Sequence, residues 1–370
     1  MRILNALVFR ETGEFTPGEV GIQGGVFSDS AGGEVLDAQG CWALPGLIDL
    51  HFHGCMGHDF CDGTPAALKA IAAYQARCGV TAICPATMTF PEELLTRVCA
   101  NAAGAVPAPD EAELLGIYLE GPFLAATKKG AQNAAWLQAP DPDLFLRLQR
   151  AAGGLIRLLA LAPEEPGALE LIDRLHSQVG IALGHTAADY DTALEAFRRG
   201  ARQATHLYNA MPPFSHRAPG VVGAAADAPT CRAELIADGV HVHPSVVRAT
   251  FRIFGDDRII LISDSMMATG LPDGAYELGG QPVQVRGSRC TLADGTIAGS
   301  ATNLADCLRS AVAMGIPLGS AVKCAAINPA KALGVFDRRG SIAPGKTADL
   351  LLLDRSLALR HVFLRGRLLF

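Results

Sequence analysis

Two histidines one residue apart close the stretch Pro45-Gly46-Leu47-Ile48-Asp49-Leu50-His51-Phe52-His53-Gly54. Alternate residues of a strand face the same way, so His51 and His53 can offer two imidazoles to one ion. Other polar side chains follow short apolar runs in the same manner. Glu120 ends Gly116-Ile117-Tyr118-Leu119, His185 ends Ile181–Gly184, and His206 follows Ala204-Thr205. Ile236-Ala237 runs to Asp238 and then His241, and Asp264 ends Ile259–Ser263. Any one of these alone is weak, since a lone histidine is often satisfied by backbone and a lone aspartate often caps a helix. Together, His51, His53, His185 and His206 with Glu120 and Asp264 can hold one or two divalent ions and a water.

Such a set works only if the chain brings those ends to one place. Between residues 45 and 340, apolar runs alternate with helical candidates such as Pro65–Arg77, Pro91–Ala103 and Asn303–Met314. Several of these helices open on proline or on an Asp, Ser, Thr or Asn cap. Strand–helix alternation at this length predicts a parallel (β/α)8 barrel of the TIM type, with a doubly wound sheet as the competitor. In the barrel, the C-terminal strand ends share one mouth, where the catalytic residues of that fold sit. Residues 1–44 and 341–370 carry short strands and turns without helical period. Neither piece makes a stable sheet alone, so both are expected to join in one small β-sandwich domain. Three Gly-containing turns between Pro272 and Ala298 predict inserted hairpins.

Composition narrows the class. The 370 residues, 49% of them hydrophobic, are enough for a large core. A net charge of −6 argues against a nucleic-acid or anionic-membrane partner, and an anionic substrate would need a local cationic pocket. Ten cysteines include no Cys-x-x-Cys pair, which favours buried reduced thiols. Charge interrupts the first residues too early for a signal peptide, and no apolar run has transmembrane length. The expectation is a soluble cytoplasmic protein.

The order His51-x-His53, Glu120, His185, His206, Asp264 resembles the amidohydrolase superfamily. The local phrases resemble its N-acetylglucosamine-6-phosphate deacetylase branch: Leu119-Glu120-Gly121-Pro122-Phe123, Gly184-His185-Thr186, Thr205-His206-Leu207-Tyr208-Asn209-Ala210-Met211, Asp238-Gly239-Val240-His241 and Ser263-Asp264. The resemblance runs almost end to end, from the Pro45-Gly46 entry to Gly340–Asp349. It implies Glu120, His185 and His206 as core metal ligands, with His51 and His53 making a second metal position possible. One or two divalent ions, zinc or iron, are then expected, with a metal-bound hydroxide as nucleophile. Asp264 is expected to act as general base and then general acid. Glutamate at 120, where many relatives carry a carboxylated lysine, argues against the dihydroorotase and hydantoinase branches.

The resemblance further implies a substrate phosphate held by Asn209, Ala210, His241 and Arg217, the arginine reaching into a neighbouring subunit of a homodimer. One departure stands out: Gln132 replaces a histidine thought to polarise the substrate carbonyl, and an amide donates a hydrogen bond but carries no charge. The implied activity is deacetylation of N-acetylglucosamine 6-phosphate. Its alternatives are the galacto epimer, a deaminase or cyclic amidase, and a barrel that has lost catalysis; the last conflicts with the presence of all six site residues.

Overall fold

A computed structural model describes residues 1–370. Eight parallel strands form the barrel wall: Leu47–Asp49, Val80–Ile83, Ile117–Glu120, Ile156–Leu161, Gly180–Leu183, Gln203–Ala204, Arg232–Ile236 and Ile259–Ile262. Strands three to eight pair in sequence order as one continuous sheet. Strands one and two pair separately, and the Ala86–Tyr118 bridge joins the second to the third. Across the last seam the Asp264 amide donates to the His51 carbonyl at 3.0 Å, and the His53 amide to Ser265 at 2.7 Å. The result is a curled parallel sheet of the (β/α)8 kind. A helix follows each strand: Pro65–Arg77, Glu92–Ala103, Pro142–Ala151, Ala168–Leu175, Tyr190–Arg199, Gly220–Asp227, Pro244–Phe254 and Leu304–Ala313.

Local chemistry explains these starts. Thr64, Asp141, Asp189 and Asn303 each accept a hydrogen bond from an amide of the first turn they cap. The Gly220–Asp227 and Pro244–Phe254 helices were not among the candidates read from sequence. Gly220-Val-Val-Gly-Ala-Ala-Ala-Asp227 is apolar almost all round, so it carries no polar stripe to mark a period. Between strand eight and its helix, Gly274–Leu278, Gln281–Arg286, Arg289–Thr291 and Ile297–Ser300 form the expected antiparallel insertion.

The terminal strands make a mixed sheet of eight, in which Leu350–Leu353 pairs with Trp42–Pro45 and Leu359–Leu364 adds outside it. Its core gathers Ile3, Val8, Ile22 and Phe27 from one end of the chain with Leu350, Leu352 and Phe363 from the other. Inside the barrel region, one apolar cluster draws alternate residues from its strands: Ala82 and Cys84, Leu158 and Ala160, Ile260 and Ile262. The barrel and the terminal sheet meet at Gly46, the single residue between Trp42–Pro45 and Leu47–Asp49. A Cβ there would lie 2.1 Å from Thr81 Oγ1, so only glycine lets the first barrel strand seat against the second.

Candidate metal centre

Glu120 is the hub. It ends the third strand, is buried, and gathers four imidazoles around its two oxygens. Its Oε1 lies 3.2 Å from both His185 Nε2 and His206 Nε2 and 3.4 Å from His51 Nε2; its Oε2 lies 3.5 Å from His53 Nε2. Two triads result, His51–His53–Glu120 and Glu120–His185–His206, each with its ligand atoms within 4.8 Å of one another. Asp264 Oδ1 sits beside the first, 3.2 Å from His53 Nε2 and 3.9 Å from His51 Nε2. His51 and His53 lie just past their strand rather than in it, yet both rings turn to the same carboxylate.

The ring nitrogens fit a cation. His185 Nδ1 lies 2.9 Å from the Lys128 carbonyl and His53 Nδ1 3.3 Å from the Ala86 carbonyl; carbonyls only accept, so each Nδ1 carries the proton. In the neutral rings the Nε2 lone pairs then face Glu120. His185 Nε2 and His206 Nε2 stand 3.1 Å apart, and His51 Nε2 is buried without a hydrogen-bond partner. Such groups are satisfied by a shared ion.

The field agrees with that reading. Burial opposes charge on His51 and His53, yet the surrounding carboxylates (Glu120 and Glu234 for His51, Asp264 and Glu120 for His53) push both rings' pKa up. A site that draws protons so strongly also draws a metal cation. Burial likewise pushes the Glu120 and Asp264 carboxyls up, but the facing histidines outweigh it and hold both below their ordinary values. Asp264 is therefore ionised at neutral pH and able to accept a proton. These donors support a divalent-metal-dependent active site, mononuclear or binuclear.

The backbone shares in the arrangement. His185, His206 and Asp264 have φ of +48°, +27° and +50°, a left-handed region costly for non-glycine residues and concentrated at functional sites. Each left-handed turn comes directly after or near a barrel strand end.

A cavity of about 260 Å³ opens on the hub, lined among others by His53, Gln132, Asn209, Ala210, His241 and Asp264. Leu278 and Ile297 from the antiparallel insertion form part of its wall. His241 Nδ1 is tied to Asp238 at 2.7 Å. Gln132 is committed differently from a free carbonyl donor: its Nε2 donates to Glu120 Oε2 at 2.9 Å, and its Oε1 accepts from the Thr89 amide at 2.7 Å. Arg217 stands apart from the others. It is exposed on the loop before Gly220–Asp227, lies outside the cavity lining and makes no hydrogen bond or ion pair within the chain. The cavity lining contains no lysine or arginine.

Two partners of the centre escaped the sequence reading, Glu234 and Gln203. Glu234 lies inside a barrel strand between Ala233 and Leu235, which mask it; the available signal was a carboxyl group in an otherwise buried strand, which demands a partner, and Gln203 opens the preceding strand just after Arg202 with no such signal.

Residues 42–369 match the model of the amidohydrolase family. The chain belongs to that family. This amidohydrolase is 40% identical to an N-acetylglucosamine-6-phosphate deacetylase of Bacillus subtilis over 88% of its own length and 84% of the relative's. It is 37% identical to an N-acetylgalactosamine-6-phosphate deacetylase of Escherichia coli O157:H7, over 88% and 86%. Among solved structures, a mutant N-acetyl-D-glucosamine-6-phosphate deacetylase of Mycobacterium smegmatis in complex with N-acetyl-D-glucosamine-6-phosphate superposes with a TM-score of 0.93 at 33% identity, covering 100% of this chain and 99% of that one. No helix of the amidohydrolase is long and apolar enough to cross a membrane.

Proposed function

We propose that this amidohydrolase removes the acetyl group of N-acetylglucosamine 6-phosphate, giving glucosamine 6-phosphate and acetate. The observation that carries the reading is the convergence of both Glu120-centred triads and an ionised Asp264 on one cavity. Glu120, His185 and His206 would hold one divalent ion, and His51 with His53 and Glu120 a second; zinc or iron suits this nitrogen-rich donor set. When bound, such an ion supplies Lewis acidity and lowers the pKa of a water towards neutrality.

The chain's own groups do the rest. Asp264 Oδ1 takes the proton from the attacking water, holds it, and delivers it to the departing amine. Gln132 keeps Glu120 in place through its Nε2 and retains one N–H for the acetamide oxygen. Asn209, the Ala210 main-chain N–H (free of any partner within the chain) and His241 would hold the sugar phosphate. Arg217 would complete that pocket from a second subunit, which makes a homodimer part of the site. Ten cysteines without a disulfide suit a reducing cytoplasm.

The Escherichia coli relative supports a second reading, the same chemistry on N-acetylgalactosamine 6-phosphate. One assay separates them: amine release by metal-loaded protein from both phosphorylated epimers and from unphosphorylated N-acetylglucosamine, with Asp264→Asn beside them. Fast turnover of the gluco phosphate, slow turnover without phosphate and loss in D264N are expected. Faster turnover of the galacto epimer would move the assignment to it, and turnover of neither by metal-loaded protein would overturn both.

A further inference from the structure

Glu234 is a fully buried carboxyl group in the middle of the seventh barrel strand, with no place in the proposed ligand set. Its side chain has three donors. His51 Nδ1 lies 2.7 Å from Oε2, the His206 amide reaches the same oxygen at 3.2 Å, and Gln203 Nε2 donates to Oε1. The Tyr118 ring lies against the His51 ring with centroids 4.6 Å apart and planes tilted by 56°.

We propose that Glu234 is the positioning residue that makes His51 a metal ligand, and so decides whether the second ion is held. The inference rests on the reading of His51, His53 and Glu120 as a metal triad. The Gln203 and His206 N–H groups already donate to the two oxygens of Glu234, so the carboxyl group serves as the acceptor and its bond to His51 places that ring's proton on Nδ1. Nε2 is left as a lone pair facing Glu120 and Asp264, where it has no hydrogen-bond partner. The carboxylate also raises the basicity of the ring it holds, the usual outer partner of a metal-bound histidine. Gln203 braces the far oxygen, and Oε2 is shared by His51 at 2.7 Å and the longer His206 amide contact at 3.2 Å. The side chain's link to the other triad is a main-chain bond to His206, whose ring makes no hydrogen bond to Glu234. Replacing this carboxyl group should therefore weaken one ion far more than the other.

The test titrates metal-stripped protein with Zn²⁺ by calorimetry, with melting and circular dichroism as fold controls. Wild type is expected to take two ions. Glu234→Gln keeps the shape, and Gln203 can turn its amide to suit; its second ion should bind roughly 10- to 100-fold more weakly, with the first changed by less than about threefold. In a His51→Asn background, E234Q should have no further effect on zinc affinity. Two equally tight ions in E234Q, or equal weakening of both in a folded variant, overturns the inference alone. One ion in wild type overturns it together with the two-triad reading. Independently of any variant, ¹⁵N shifts of the His51 ring in zinc-loaded wild type should show Nδ1 protonated and Nε2 metal-bound, and the reverse tautomer refutes the argument.

Discussion

Arg217 offers a sharp test of the proposed assembly. It is exposed and unpaired in its own chain, and no lysine or arginine lines the cavity that would receive a phosphate. If its guanidinium serves the neighbouring site, Arg217→Ala removes a charge-assisted, forked contact. Loss of one partner from such a pair costs about 2–5 kcal/mol. At 1.4 kcal/mol per decade this is roughly thirty-fold to several thousand-fold in kcat/KM, carried mostly by KM. Unphosphorylated N-acetylglucosamine, which has nothing for the arginine to hold, should lose almost nothing. Mixing then tests the route. R217A and D264N are each nearly inactive, but in a mixed dimer one site has Asp264 from one chain and Arg217 from the other. Random exchange makes half the dimers mixed and half of their sites complete, so about one quarter of wild-type activity should return. The assay is amine release from equimolar, differently tagged variants after confirmed exchange. No recovery in dimers shown to be mixed would refute the shared site, as would an R217A defect equal for both substrates.

Asp264→Asn should lower kcat by about 10²- to 10⁴-fold while zinc content, read by elemental analysis, stays at the wild-type value, because the amide keeps the shape and loses only the proton acceptor. Arg339 joins the barrel to the terminal sheet through a buried pair with Asp349 and a partly exposed one with Glu113. Arg339→Leu strands the Asp349 charge at a cost of about 3–5 kcal/mol. Over 370 residues, at about 2.1 cal/mol/K each, this lowers the melting temperature by roughly 4–6 °C, as a thermal scan would read; a shift below about 1 °C would contradict it. Asp256 accepts from Ser320 Oγ at 2.7 Å and Lys323 Nζ at 3.0 Å. Partial burial raises its pKa, but these partners outweigh that and hold it below the ordinary value. Its stabilisation is thus complete above the unfolded carboxyl pKa and lost as pH falls through the lower folded one. Asp256→Asn should cost about 1 kcal/mol at pH 7, reduced by solvent screening, and the difference in urea unfolding from wild type should shrink below about pH 4.

The features legible in the sequence share one cause. Barrel strands are short and apolar, so Glu120, His185, His206 and Asp264 stand out at their ends, and any fold that gathers strand ends gathers those residues. The alternation of strands and helices was legible for the same reason. What stayed hidden depends on neighbours distant in the chain. Glu234 matters through His51, 183 residues away. The commitment of Gln132 to Glu120 needs the loop's course across the mouth. The left-handed turns at His185, His206 and Asp264 leave no trace in residue type, because glycine, the usual marker of such turns, stands at none of the three. Arg217 reads as a loop charge in both sequence and chain, and its role is a question about a second molecule.

Gly46 alone separates the strand Trp42–Pro45 from the strand that leads to His51 and His53, and its amide donates to the Asp349 carbonyl at 2.9 Å. Trp42–Pro45 pairs on one edge with Arg2–Phe9 and on the other with Leu350–Leu353, some three hundred residues later in synthesis. On the ribosome, the strand beside the histidine pair therefore waits with one edge open until nearly the whole barrel has emerged. Under the two-triad reading, the first proposed ligand segment to be made is thus flanked by a strand whose outer partner is among the last to be made.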